Sequence, residues 1–128
     1  MRHRKKKGIL DRKKSSRESL LRNLAGQLIE FERIKTTEAK ARILKPIAEK
    51  LLTSAKNDTI TSRRMVKKFI YQEKLIKKLF SDLAPRFHNR NSGYLRISKI
   101  NNRKGDGAPI VQIEIIKDDE KKLSQKSK

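Results

Sequence analysis

The sequence predicts a small two-layer α+β domain. Its elements run helix, strand, helices, two strands, behind a basic extended N-terminal arm. Three observations predict it. Apolar residues recur at helical spacing over long segments between residues 15 and 84. A short alternating segment, "EFERIKTT", interrupts that period early. Two late segments, "YLRISKI" and "IVQIEII", alternate and are rich in β-branched residues. Helices covering one face of three strands make a two-layer domain.

Residues 1–14 come first, and eight of them are Lys or Arg against one acid, Asp11. Such a segment buries too little apolar surface to offset backbone entropy of about 1–2 kcal/mol per residue. It is expected to order only on a strongly anionic partner. The first helix follows. Ser15 and Glu18 have the spacing of a capping box, in which each satisfies an amide the other leaves free. Leu20, Leu21, Leu24, Ala25, Leu28 and Ile29 carry the apolar stripe. The alternation of residues 31–36 predicts a strand, and topology suggests it as the central one. Thr36 or Thr37 is expected to cap the second helix, whose stripe runs from Ile43 to Ala55. Pro46 lies inside that helix and is expected to kink it or disturb its first half. "KNDT" reads as a turn.

From residue 62 to 84 the pattern is helical throughout, and "YQEK" is either a break or a continuation. Pro85 is expected to end the run. "RFHNRNSG" is a basic loop. "NNRKGDGAP" joins the last two strands; it exceeds what a tight hairpin needs, and Gly105 and Gly107 leave it free to project. Residues 15–117 thus make one domain, and residues 118–128 a tail expected to lack structure.

Lys and Arg total 35 against 14 acids, a net charge of +21 and a pI near 10.6. That field opposes folding and invites a polyanion. The apolar faces are Leu, Ile and Ala without Trp, so they suit a core rather than a membrane surface. With no cysteine, disulfides, thiolate catalysis and Cys-ligated zinc are excluded. The basic start lacks a following apolar run, and no segment approaches a membrane span. A cytoplasmic protein without membrane contact is expected. His3 and His88 have no carboxylate at a useful spacing, and no nucleophile–base pair or ligand cluster exists. The expectation is no enzyme, no metal and no cofactor.

The basic residues form four sets: the arm from Arg2 through Lys14, with Arg4, Lys5, Lys6 and Arg12; Arg17, Arg22 and Lys35; Arg63, Arg64, Lys67 and Lys68; and Arg86, Arg90, Arg96, Arg103 and Lys104. Arginine's planar fork suits phosphate. Tyr94, beside the fourth set, suits either stacking on an unpaired base or a place in the core. No helix offers the residue mix of a DNA recognition helix. Long basic extensions on a small domain suit folded RNA better, with a sequence-independent nucleoid DNA-binding protein as the alternative.

"MRHRK", "RNLAGQLIEFERIKTTEAKA", "LFSDLAPRF", "NRNSGYLRI" and "RKGDGAPIVQIEI" together resemble the bacterial large-subunit ribosomal protein number seventeen family, from Met1 to about Lys117. The resemblance implies three helices between the first strand and the last two, with a break near "YQEK". It implies a structural constituent of the large subunit, binding its rRNA near the nascent-chain tunnel exit beside neighbouring ribosomal proteins. A monomer is expected from the apolar stripes, which have the width one core uses and leave no heptad seam. Carried over by match, the RNA-contacting positions are Arg2, His3, Arg4, Lys5, Arg12, Arg22, Asn23, Lys35, Thr36, Thr37, Arg86, Arg90, Gly93, Tyr94, Arg96, Arg103 and Gly105. Leu95 stands where Thr is common, and the tail has no counterpart.

Overall fold

The computed structural model describes residues 8–117. Helix α1 spans Lys14–Phe31, strand β1 Arg33–Thr37, helix α2 Glu38–Lys56 and helix α3 Ile60–Phe69. Helix α4, Glu73–Lys78, passes through a π-helical turn at Leu79–Leu83 into α5, Ala84–Arg86. Strands β2, Leu95–Asn102, and β3, Pro109–Ile115, close the chain. The α+β class and the element order agree with the sequence reading, with the rod from α4 to α5 as the third helix.

The helix boundaries follow local chemistry. Helix α1 is capped two residues earlier than its capping signal: Lys13 is the N-cap, without a side-chain cap, and Arg17 N–H donates to Lys13 O at 2.9 Å. Ser15 therefore lies inside the first turn, and the capping box is not formed. At the other end Glu32 adopts a left-handed conformation (φ 65°) and donates its amide to Leu28 O at 2.8 Å. The chain leaves the helix there, so Phe31 belongs to α1 and the strand begins at Arg33. Thr37 is the N-cap of α2, with extended backbone but no side-chain bond. Pro46 does not interrupt α2, which continues through it to Lys56.

Thr59 caps α3, its hydroxyl accepting from Ser62 N–H at 3.1 Å. Residues 70–72 are not helical, so "YQEK" is a break. The wider turn before Pro85 has a cause. Proline lacks an amide and its ring crowds the carbonyl four residues back. The π turn relieves this, with Ala84 N–H reaching Leu79 O. Helix α5 then ends at Arg86, one residue past the expected stop.

The sheet order is β1-β3-β2, all antiparallel. This corrects the topology expected from sequence: β3 is central and β1 is an edge. Burial explains it, since Val111, Ile113 and Ile115 of β3 are buried while β1 keeps no fully buried residue. Ile34, Ile113 and Ile97 are in register on the inner face, with Val111, Ile115 and Leu95 flanking them. Ile34, Ile97, Leu95, Ile113 and Ile115 meet Leu28, Leu44, Leu52, Leu79 and Leu83 from the helices in one core. Between Lys99 and Asn101 the register shifts, leaving Ile100 as an extra, exposed residue of a bulge.

Candidate nucleic-acid interface

Antiparallel pairing puts residues directly opposite each other on the same side of the sheet. The pairs that face away from the helices make a polar surface. Its first row is Arg33, Glu114 and Arg96; its second is Lys35, Gln112 and Ser98. No described helix covers this face: Arg33, Lys35, Arg96 and Ser98 are exposed. Arg96 Nε donates to Glu114 Oε1 at 2.8 Å, so Glu114 offsets part of one guanidinium's charge. Beside it, Phe31, Glu32, Arg33, Arg96, Glu114, Ile115 and Lys117 line an open cleft of about 500 Å³. A flat, uncovered, mainly cationic sheet face is a surface on which a phosphate backbone can lie.

The hairpin tip extends this face. The strands continue to Asn102 and from Pro109, so the loop is shorter than expected. It is also closed: Arg103 N–H donates to Ala108 O at 2.8 Å and Gly107 N–H to Arg103 O at 2.9 Å. Gly105 holds φ 104°, which a residue with a side chain rarely adopts. Arg103 forks onto Asp106. That hydrogen bond, helped by the Ala108 amide, pulls the Asp106 carboxyl down to about 2. The tip thus presents Lys104 and a guanidinium already engaged by a carboxylate.

Other candidates hold the fold. Arg86 donates to both Glu32 oxygens at 2.7 and 2.9 Å and to Asp82 at 3.1 Å. The Arg86 hydrogen bond keeps the Glu32 carboxyl below its ordinary range, opposed by partial burial. Tyr94 is fully buried, its ring centroid 5.0 Å from that of Phe87. Its hydroxyl donates toward Asn91 O at 2.8 Å and Arg90 O at 3.2 Å, and Lys56 Nζ also reaches Arg90 O. The core reading of Tyr94 holds and base stacking is corrected, because the buried ring offers no face to a nucleotide. Gly93 (φ 70°) turns the chain into Tyr94, and Arg90 Nη1 donates to Gly93 O at 2.9 Å. Thr36 shares the inner-face row of Val111 and is half-buried; Thr37 turns the chain into α2.

On α3, Arg63 forks onto Asp58 at 2.6 and 3.1 Å and lies 4.7 Å over the Phe80 ring, while Arg64 is exposed. The Asp58 hydrogen bond raises Arg63 and lowers Asp58 from their ordinary values. On α1, Arg17 Nη1 reaches Arg12 O at 3.5 Å. Arg22 Nε donates to Phe69 O at 2.7 Å, and its guanidinium sits 4.3 Å over the Tyr71 ring. Arg22 and Asn23 line a cleft between α1 and the 70–72 break. Arg2, His3, Arg4, Lys5, Lys6 and the 118–128 tail lie outside the described residues. Of the arm's described end, Gly8 lies against the Ile43 side chain of α2.

The structure therefore gathers Lys35 and Arg96 on one face and scatters the rest. Sequence reasoning missed Arg33, Gln112 and Tyr71. The alternation of β1 already placed Arg33 beside Lys35, whereas Gln112 and Tyr71 needed the sheet register and the helix break. No group of three His, Cys, Asp or Glu among the described residues could hold a metal ion, and no described helix is long and apolar enough to cross a membrane.

The family model for ribosomal protein L17 matches residues 20–116. The chain belongs to the ribosomal protein L17 family. A relative from Gemmatimonas aurantiaca, the large ribosomal subunit protein bL17, is 48% identical over 116 residues, covering 91% of this chain and 98% of the relative. The proteins of the same name from Carboxydothermus hydrogenoformans and Caldanaerobacter subterraneus subsp. tengcongensis are each 45% identical over 107 residues, 84% of this chain and 96% of theirs. Membership makes the chain a ribosomal protein of the cytoplasm, a structural component of the ribosome and not an enzyme. The "IKTT" and "GDGAP" segments that carried the resemblance fall on β1 and on the hairpin tip entering β3.

Proposed function

We propose that the chain is a structural constituent of the large ribosomal subunit that binds large-subunit rRNA through the open sheet face, the hairpin tip and the N-terminal arm. The observation that carries this is the uncovered face holding Arg33, Lys35 and Arg96, opposite a sheet face whose Ile34, Ile97, Leu95, Ile113 and Ile115 pack into the core. A net charge of +21 supplies the field that draws such a surface to RNA. The relatives' names support the large subunit. A site near the nascent-chain tunnel exit, beside neighbouring ribosomal proteins, rests on the family resemblance. The protein's part is to neutralise phosphates and hold RNA segments in place; no bond is made or broken. Sedimentation of a tagged chain in a high-magnesium sucrose gradient tests this. Co-migration with the 50S particle is expected, and co-isolation with chromosomal DNA instead would overturn it.

A further inference from the structure

We infer that the cleft between α1 and the 70–72 break is a binding site for the base of a single unpaired nucleotide of RNA. This deepens the RNA-binding reading and rests on it. The cleft measures about 370 Å³ and is lined by Arg22, Asn23, Gln27, Glu30, Tyr71 and Gln72, over a floor of Gly26, Ile70 and Leu75. That size is at the small end of ligand sites and far too small for a duplex.

Its chemistry fits a base rather than a phosphate. Tyr71 is 66% exposed although its ring has a guanidinium 4.3 Å from its centroid. An exposed, positioned aromatic beside an arginine plane is the arrangement on which unpaired bases stack. Arg22 is held in place by its bond to Phe69 O at 2.7 Å, so the stack is pre-organised. Asn23, Gln27 and Gln72 supply amides that both donate and accept, as the edge of a base requires. Their side chains make no hydrogen bond to another described residue. Glu30 adds a carboxylate, which repels phosphate and accepts from an amino or imino group of a base. The cleft holds one cation and one acid, whereas the sheet face is mainly cationic, so the two surfaces take different parts of the RNA.

Gly26 makes the depth. A Cβ there would come 3.2 Å from Leu75 Cδ1, and any larger side chain would fill the floor.

The test uses the full chain. Tyr71→Leu removes the ring and keeps apolar bulk; Tyr71→Phe keeps the ring. Binding to large-subunit rRNA is measured across a salt series, with circular dichroism confirming the fold. Tyr71→Leu should weaken binding roughly 5- to 150-fold, the range for losing one stacked base. The salt slope should stay the same, because no phosphate contact is lost. Tyr71→Phe should bind like the wild type. The chain has no Trp and two Tyr, of which Tyr94 is buried away from ligand, so the change in tyrosine emission on adding RNA reports on Tyr71. A short single-stranded RNA of mixed sequence should quench it, and an abasic strand of the same length should not. If the wild type binds rRNA and Tyr71→Leu matches it in affinity, the cleft is no nucleotide site and is left to a protein neighbour. A shallower salt slope in Tyr71→Leu would also overturn the inference, by making the contact one to backbone phosphate. If the wild type fails to bind rRNA at all, the proposed function falls together with it.

Discussion

Replacing Arg86 with Ala is expected to destabilise the domain while leaving its contacts with RNA unchanged. The Arg86 guanidinium forks onto Glu32 at 2.7 and 2.9 Å, with the two side chains 27% and 21% exposed. Glu32 is the left-handed residue that ends α1, and its carbonyl accepts from Ile115 N–H at 2.8 Å. The clamp therefore fixes the helix end against the end of the central strand. A left-handed non-glycine residue costs about 1–2 kcal/mol, so the position needs external support. Hydrogen bonds between charged groups contribute about 1.5–3 kcal/mol each when well desolvated. Partial exposure lowers that, and Lys78, 3.7 Å from Glu32, remains as a weaker partner. A net loss of about 2 kcal/mol is the reasonable sum. For a chain of this size that lowers the melting midpoint by roughly 6–10 °C. The assay is thermal melting by circular dichroism, with rRNA binding measured well below the variant's midpoint across a salt series. An unchanged midpoint together with a shallower salt slope would refute the reasoning and make Arg86 a phosphate contact.

Other predictions follow from the same geometry. Glu32 has a folded-state pKa below its ordinary 4.5, chiefly through the Arg86 hydrogen bond, so its contribution is fully present above that value and is lost as pH falls below it. Glu32→Gln should melt lower than the wild type at neutral pH, and the gap should close on acidification below about 4.5; a constant gap would contradict this. Tyr94→Phe removes a hydroxyl bonded at 2.8 Å to Asn91 O and should cost about 1 kcal/mol in denaturant unfolding, with rRNA affinity unchanged. Replacing Arg103 and Lys104 with Ala should leave melting unchanged and weaken rRNA binding. Asp106→Asn should strengthen it, since the carboxylate that occupies Arg103 is lost while the amide oxygen still accepts from Ala108.

The fold was legible wherever one period ran uninterrupted. The stripe from Leu21 to Ile29 and the alternation Val111, Ile113, Ile115 set which faces are buried, and the structure buries them. Strand order was not legible, because β1 and β3 both alternate and only burial on the packed domain separates an edge from a centre. The π turn before Pro85 and the left-handed Glu32 depend on neighbours distant in sequence. Glu32 is held by a residue 54 positions away, a contact no local pattern encodes. The candidate site divided in the same way. Lys35 and Arg96 were placed correctly as basic residues on strands, and their shared face came from register alone. Arg86 and Tyr94 carry the residue types of an RNA contact, yet one is satisfied by a carboxylate and the other by the core.

The claim that RNA lies on the open sheet face is tested most directly by the salt dependence of rRNA binding. The comparison is the full chain against Arg33→Ala/Lys35→Ala. Both residues are exposed and lie on the outer face, so circular dichroism and melting should be unchanged. Each neutralised phosphate contributes about −0.7 to −0.9 to the slope of log affinity against log salt. The double variant should therefore flatten the slope by roughly 1.4 to 1.8 units. Equal slopes and equal affinities for the two proteins would contradict the account and leave the face without a part in binding.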